Sequence, residues 1–396
     1  MTLSLLVYVS VAALLCMLGV HVYQREQRLL QVGGSQLPFY SWEILAAVLL
    51  VAIVAGARYG TGWDTEEMYI PQYDYLKSGK DVTRPFENGF ILISKGFAAL
   101  KAHRFFYLGF WALLQAGFLY FGLRKRKFLY PWVGVNLMLG YYFVNWCNSI
   151  RQVVVATLFV ALAPMMTQQR ISRYALNFLP FLLIVLLAAT IHLSALLLLL
   201  FYWMPLLGRV KGMVTRTKLL SILAICVVVG LYPYWFKWLE CFSGILEFVG
   251  YEKYDKSMTS LFDGHFRLYM GPLRLATLCT YVMVLWNVKG LLRHFAGDKL
   301  LRVFLVLAFA GMCGEALVVN TSFFVLRPFE YLLLFVLPLT GYTFVYLWRT
   351  GPKWLALAFA VLANSHQFIT HAKMMLLGAT ADDQLYFLYH FFFMNN

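Results

Sequence analysis

The sequence predicts an all-α bundle of helices that crosses a lipid bilayer about a dozen times, as one polytopic membrane domain over residues 1–396. Two observations predict it. Apolar residues make up 61% of the chain and charged residues only 13%, more apolar surface than a water-soluble core could hide. Apolar runs of about 17 to 22 residues recur along the whole length, and at 1.5 Å per residue each covers the roughly 30 Å of bilayer hydrocarbon.

In chain order the expected helices cover roughly 2–20, 42–57, 105–123, 129–147, 150–167, 174–191, 193–207, 219–235, 272–288, 302–319, 329–347 and 353–370. The first apolar run lacks a basic segment before it and a cleavage site after it, so it is expected to be a retained helix. The last apolar stretch, 385–394, is too short to span and is expected at the interface. Two outer loops are long, about 58–104 and 236–271, and both are expected to contain interfacial or re-entrant helices. In the first, Phe90 to Leu100 is half-apolar. The second carries Trp238, Phe242, Phe248, Tyr251 and Tyr254, side chains suited to headgroup level.

Charge orients the bundle. With the N-terminus outside, the segments 21–42, 124–128, 168–174, 208–219, 289–302 and 348–353 hold 18 of the 33 Lys and Arg. They contain only two acids, Glu26 and Asp298, whereas the rest of the chain carries 15 basic and 16 acidic residues. Such a bias marks the cytoplasmic side, so the net charge of +15 is a topology signal. No basic groove with interleaved aromatics is left over, and no nucleic-acid partner is expected. Of six cysteines, Cys147 and Cys241 alone are placed to see the outer compartment; no CxxC pair exists to suggest a zinc site or a disulfide framework.

The chain has no Walker A loop, complete GxGxxG, DxD, HExxH or GxSxG, which removes support from nucleotide-driven and standard hydrolytic mechanisms. Instead, Arg, acidic and His residues fall at the predicted outer ends of helices. Arg58, Gly60, Gly62 and Asp64 close the second helix, with Glu87 and Asn88 further along the same loop. They read either as a ligand site or as a locally paired cap at the interface. Asn148, Ser149, Ile150, Arg151 and Gln152 form a polar run between two apolar helices, costly in lipid unless it faces a cavity. His192 and Ser194 sit where two apolar runs meet, suited to packing or to proton transfer. Arg267 and Arg274 flank the ninth helix, and Arg327, Glu330 and Tyr331 open the eleventh. Glu315, the most deeply placed acid, either serves the site or pairs with Arg327. Cations and carboxylates beside a hydrophobic wall suit a lipid pyrophosphate, because the guanidinium fork matches phosphate oxygens.

The segments RYGTGWDTEEMY and ENGF in the first outer loop, NSIRQVVVA, IHLSALL and RPFEYLLLFVLP, in that order, resemble the EpsG-like family of Wzy-type polysaccharide polymerases. The resemblance runs from Arg58 to Pro338. It implies a multi-pass enzyme of the bacterial inner membrane that moves a growing glycan from its polyprenyl pyrophosphate carrier onto a lipid-linked repeat unit. It implies lipid-linked glycans and membrane lipid as partners, leaves room for a chain-length regulator, and calls for no metal or other cofactor. The residues it marks are Arg58, Asp64, Glu87, Asn148, Arg151, Gln152, His192, Arg327 and Tyr331. Arg151 and Arg327 are expected on the pyrophosphate, and Arg58, Asn148, Gln152 and Tyr331 on the pyrophosphate or glycan. Arg274 joins them by position rather than by resemblance. Glu87 is the first choice of base, followed by Asp64 and His192. The competing readings are a glycan acyltransferase, with His192 as its base, and a flippase or other transporter whose arginines line an aqueous cavity.

Overall fold

The computed structural model describes residues 2–168, 170–210, 212–232, 270–320, 323–378, 380 and 388–391. The second long loop, with Arg267 and its aromatic residues, lies outside these except for 270–271, as does most of 385–394. Before residue 233 come α1 (Thr2–Gln31), α2 (Trp42–Gly56), α3 (Ile70–Lys77), α4 (Asn88–Ala99), α5 (Arg104–Gly122), α6 (Tyr130–Leu139), α7 (Tyr142–Asn148), α8 (Ile150–Leu162), α9 (Ile171–Ala189), α10 (Leu197–Phe201) and α11 (Arg216–Gly230). After residue 270 come α12 (Pro272–Trp286), α13 (Val288–His294), α14 (Lys299–Val318), α15 (Phe323–Leu333), α16 (Val336–Thr350), α17 (Lys353–Ala363) and α18 (His366–Leu377). A short antiparallel pairing joins β1 (Arg58–Tyr59) to β2 (His390–Phe391).

Among the described residues the fold is all-α apart from that pairing. Among the described residues, five helical stretches are long and apolar enough to cross a membrane, or seven if each of two bent pairs counts as one span. The pairs are α12 with α13, bent by 53°, and α15 with α16, bent by 41°. The expectation of about twelve spans therefore stands above what length and composition establish. Three further apolar stretches, α2, α17 and Leu193–Arg209, are shorter. Helix boundaries move for local reasons. The first helix runs on to Gln31, because nothing breaks it before Gly33, whose φ is 77°. The expected helix 129–147 divides at Gly140, where the backbone turns extended at φ −78°, ψ −167°.

Helices in lipid gain nothing from hiding apolar surface from one another, so close dispersion contact decides which faces meet. α1 packs on α6 and α2 on α5. The first pair touches so closely that a Cβ on Gly19 would lie 2.5 Å from the Pro131 nitrogen, and one on Gly134 would lie 2.6 Å from the Leu15 Cβ.

Helix α14 separates two polar ends. Its 20 residues extend about 30 Å. At its start Asp298 accepts from Arg126 Nε at 2.7 Å and from the hydroxyl of Tyr342. Near its other end Glu315 accepts from Arg274 Nη1 at 2.7 Å. At the Asp298 end, Lys127 is buried and donates from Nζ to Glu26 Oε1 at 2.6 Å and to the Leu37 carbonyl at 2.8 Å. The Leu37 N–H closes the triangle on Glu26 Oε1 at 3.2 Å.

Removing one member of such a pair leaves the other as an uncompensated buried charge. Lys127→Met or Glu26→Gln should therefore each cost about 3–5 kcal/mol. Thermal unfolding in detergent should show both singles well below wild type and the double variant recovering much of the loss. A double variant no more stable than the singles would count against the pairing.

Candidate functional site

The loop after α2 is pinned before it carries any chemistry. Gly62 has φ 90°, and a Cβ there would lie 2.6 Å from the Cys147 carbonyl oxygen, so only glycine lets the loop rest on the end of α7. Asp64 N–H then donates to Asn148 Oδ1 at 2.8 Å, and the Thr65 hydroxyl donates to the Cys147 carbonyl. Arg58 is only 2% exposed. Its donors go to the carbonyls of Ala55 and Cys147, the latter at 3.3 Å, and to Thr65 Oγ1 at 3.4 Å. Arg58 and Asn148, expected on substrate, thus hold the loop in place. Cys147, expected to face the outer compartment, is buried. A π-helical turn follows over Thr65–Tyr69 and aims Tyr69 inward.

Arg151, in the first turn of α8, is the centre of the group. It donates to Glu87, and its Nε lies 3.4 Å from the Tyr69 hydroxyl. Its guanidinium sits over the rings of Phe86, Phe90 and Tyr69, at 4.5, 5.4 and 5.6 Å from their centroids. Cation–π contact on several faces fixes its direction as well as its charge. Glu87 also accepts from the Leu193 N–H at 2.9 Å and lies 3.1 Å from His192 Nδ1. On the other side, Arg327 Nη2 donates to Asp64 Oδ2 at 3.2 Å, while Gln152 Nε2 donates to the Arg327 carbonyl at 2.6 Å. Tyr331 is buried, with its hydroxyl 2.6 Å from Ser194 Oγ.

Asp64, Glu87, Asn148, Arg151, Gln152, His192, Arg327 and Tyr331 are thus joined in one group drawn from distant parts of the chain. Arg274 is not in it. That residue is 3% exposed and pairs with Glu315, whose other oxygen accepts from the Tyr281 hydroxyl. The alternative pairing of Glu315 with Arg327 is therefore not formed. Three contributors had no place in the expected site. Tyr69 and Phe86 bear on Arg151, and Arg84, exposed, is close enough to act on the charge of Asp64. The only hint in the sequence was their position beside marked residues, in TEEMY and just before ENGF.

The two carboxylates differ. Burial alone would raise the Glu87 pKa, but the His192 hydrogen bond and the Arg151 charge outweigh it and bring the pKa down to about 2. At Asp64 burial prevails over Arg327, Arg151 and Arg84, and the pKa rises above the ordinary carboxylate value. Burial likewise pushes His192 below its usual 6.5, although Glu87 opposes it. An ionised carboxylate can only accept, so the neutral His192 carries its proton on Nδ1 and leaves the lone pair on Nε2. Among the described residues no group of three or more His, Cys, Asp or Glu is disposed to hold a metal ion.

Fold and site together define a multi-pass helical membrane protein with an arginine-rich polar site among the ends of its helices. The chain belongs to the EpsG family, whose sequence model matches residues 42–372. That family and the apolar helical fold fit a polysaccharide polymerase. No curated protein and no solved structure matches the chain.

The histidine has a consequence for pH. The unfolded chain gains a proton at His192 as pH falls through 6.5, and the folded chain, whose pKa is lower, gains it only at lower pH, so stability decreases on the acid side. Glu87 stays ionised over the same interval, since its pKa is about 2. His192→Gln should flatten the fall in thermal midpoint between about pH 7 and about pH 5, measured in detergent. An unchanged profile would mean that His192 does not refuse the proton.

Proposed function

We propose that the chain polymerises lipid-linked oligosaccharide repeat units at the outer face of the bacterial inner membrane. The growing glycan passes from its polyprenyl pyrophosphate carrier to the terminal sugar of a second lipid-linked unit. The observation that carries this reading is the convergence of Arg151 and Arg327, with Arg84 exposed nearby, on one polar group in an EpsG-family membrane protein.

The pyrophosphate is anionic and becomes more so as the bond to the sugar breaks. Arg151 and Arg327 neutralise that charge, and oriented donors aimed at developing charge are worth about 10²–10³ in rate each. Arg84 supplies the third cation, a role that position along the chain had assigned to Arg274. The anomeric carbon is already activated by its pyrophosphate, so the step proposed needs no nucleotide sugar, metal or other cofactor. Positioning of two substrates is the rest of the task. Exposed leucines of α9, among them Leu183, Leu186 and Leu187, offer a wall for the carrier's hydrocarbon, and Leu186 lines a hollow with Glu87.

Glu87 acts here as a positioning residue. It already accepts from three partners, and a carboxylate with a pKa of about 2 is a poor proton acceptor near neutrality. It holds Arg151 and His192 in place instead of serving as the base. Asp64 does the same for Arg327, and Gln152 and Tyr331 anchor the helix that carries Arg327.

Cells lacking the gene should keep single repeat units and lose polymer. Complementation with Arg151→Ala or Arg327→Ala should leave polymer formation down by about 100-fold or more, at normal protein level in the membrane. Arg151→Lys should not rescue, because a point charge cannot replace the fork. Glycan of normal length in the Arg151→Ala strain would sink the reading. Accumulation of inward-facing lipid-linked units in the deletion strain would point to a transporter.

A further inference from the structure

Behind the arginine group lies a hollow that the reading above leaves unused. A cavity of about 380 Å³ opens between α12, α14, α15 and the ends of α6 and α17. That volume falls within the roughly 300–1,000 Å³ of small-molecule sites. The Arg274–Glu315–Tyr281 network lines the cavity together with Tyr141 and Tyr142. Thr277 and Ser365 add hydroxyls. Aromatic faces beside scattered hydroxyls and a fixed ion pair suit a ligand with apolar C–H faces and many hydroxyl groups, which is the character of a sugar.

Glu330 lines the same cavity. It is 6% exposed, and neither carboxylate oxygen is in a hydrogen bond; Asn145 lies alongside without meeting that geometry. A buried carboxyl with no donor is costly, and nearly all such groups are satisfied by something. Arg327 and Asp64 are close enough to act on its charge. Residues three and four apart share a helix face, so α15 carries Arg327 and Tyr331 into the arginine group while Leu326, Glu330 and Leu333 line the cavity. One helix therefore stands between two compartments, with a carboxyl at the partition.

We propose that this cavity seats the terminal sugar of the second, acceptor glycan, and that Glu330 takes the proton from its attacking hydroxyl. The inference rests on the polymerase reading. The acceptor oxygen forms a bond to the anomeric carbon of the donor as the bond from that carbon to the pyrophosphate oxygen breaks. The bonding pair leaves with the pyrophosphate, held by Arg151 and Arg327, and the hydroxyl proton goes to the Glu330 carboxylate. The Arg274–Glu315 pair holds the sugar's other hydroxyls, giving Arg274 a place on the acceptor instead of on the carrier.

The test uses the full-length protein in liposomes with a lipid-linked repeat unit. Glu330→Gln should lower polymer formation by about 100-fold or more while the repeat unit still binds, as expected for loss of a general base. Thr277→Trp, which fills the cavity without touching the arginine group, should raise the KM for the acceptor and leave kcat nearly unchanged. A photo-reactive residue in place of Tyr141 should capture the repeat unit. Wild-type protein that makes no polymer would overturn the polymerase reading itself. Polymerising wild type with a wild-type rate in Glu330→Gln, an unaltered KM in Thr277→Trp, or capture of phospholipid alone at position 141 would overturn the acceptor site only. Should Glu330→Gln fail to insert, the other two measurements decide.

Discussion

A charge shut away from water must be answered by a neighbour, and this bundle is organised by that constraint. Arg327 reaches Asp64 across 263 positions of sequence, and Lys127 reaches Glu26 across 101. Such pairs fix which helices lie side by side more strictly than apolar packing does, because leucine is as content against lipid as against another leucine. At one end the pairs lock the basic turns of the chain. At the other they hold Arg327 and Arg151, and aromatic rings beneath Arg151 set its direction.

The polar group near Arg151 combines rigidity with accessible charge. Its loop rests on Gly62 and on carbonyl acceptors for Arg58, so the arginine most deeply buried in the region is a structural tie. Arg151 and Arg327, less buried, are each matched by one carboxylate. Glu87 and Asp64 then differ in protonation behaviour because one collects hydrogen bonds and the other mainly loses water. Two carboxylates in one cluster are thereby given unlike characters by their surroundings alone.

Much of this was legible in the sequence. The all-α character, several of the long apolar helices and the polar interruption at Asn148 to Gln152 lie where the sequence places them, although about twelve spans are not established. The failures have physical causes. Apolar length gives the level of a residue in the bundle but not the face it turns to, so Arg274 was grouped with Arg327 although Glu315 claims it. The breaks at Gly140 and between α15 and α16 interrupt runs that hydropathy reads as continuous. Tyr69, Phe86 and Arg84 are ordinary loop residues until folding brings them next to Arg151 and Asp64.

The small strand pairing has its own implication. Arg58–Tyr59 is bound to His390–Phe391, Thr61 donates to the Leu388 carbonyl, and Tyr389 donates from its N–H to Ser4 and from its hydroxyl to the Val54 carbonyl. During synthesis the first outer loop is therefore left waiting for a partner that the ribosome makes some 330 residues later. The helices between must be made before this clasp can close, so the loop is completed only once residues 388–391 have been synthesised.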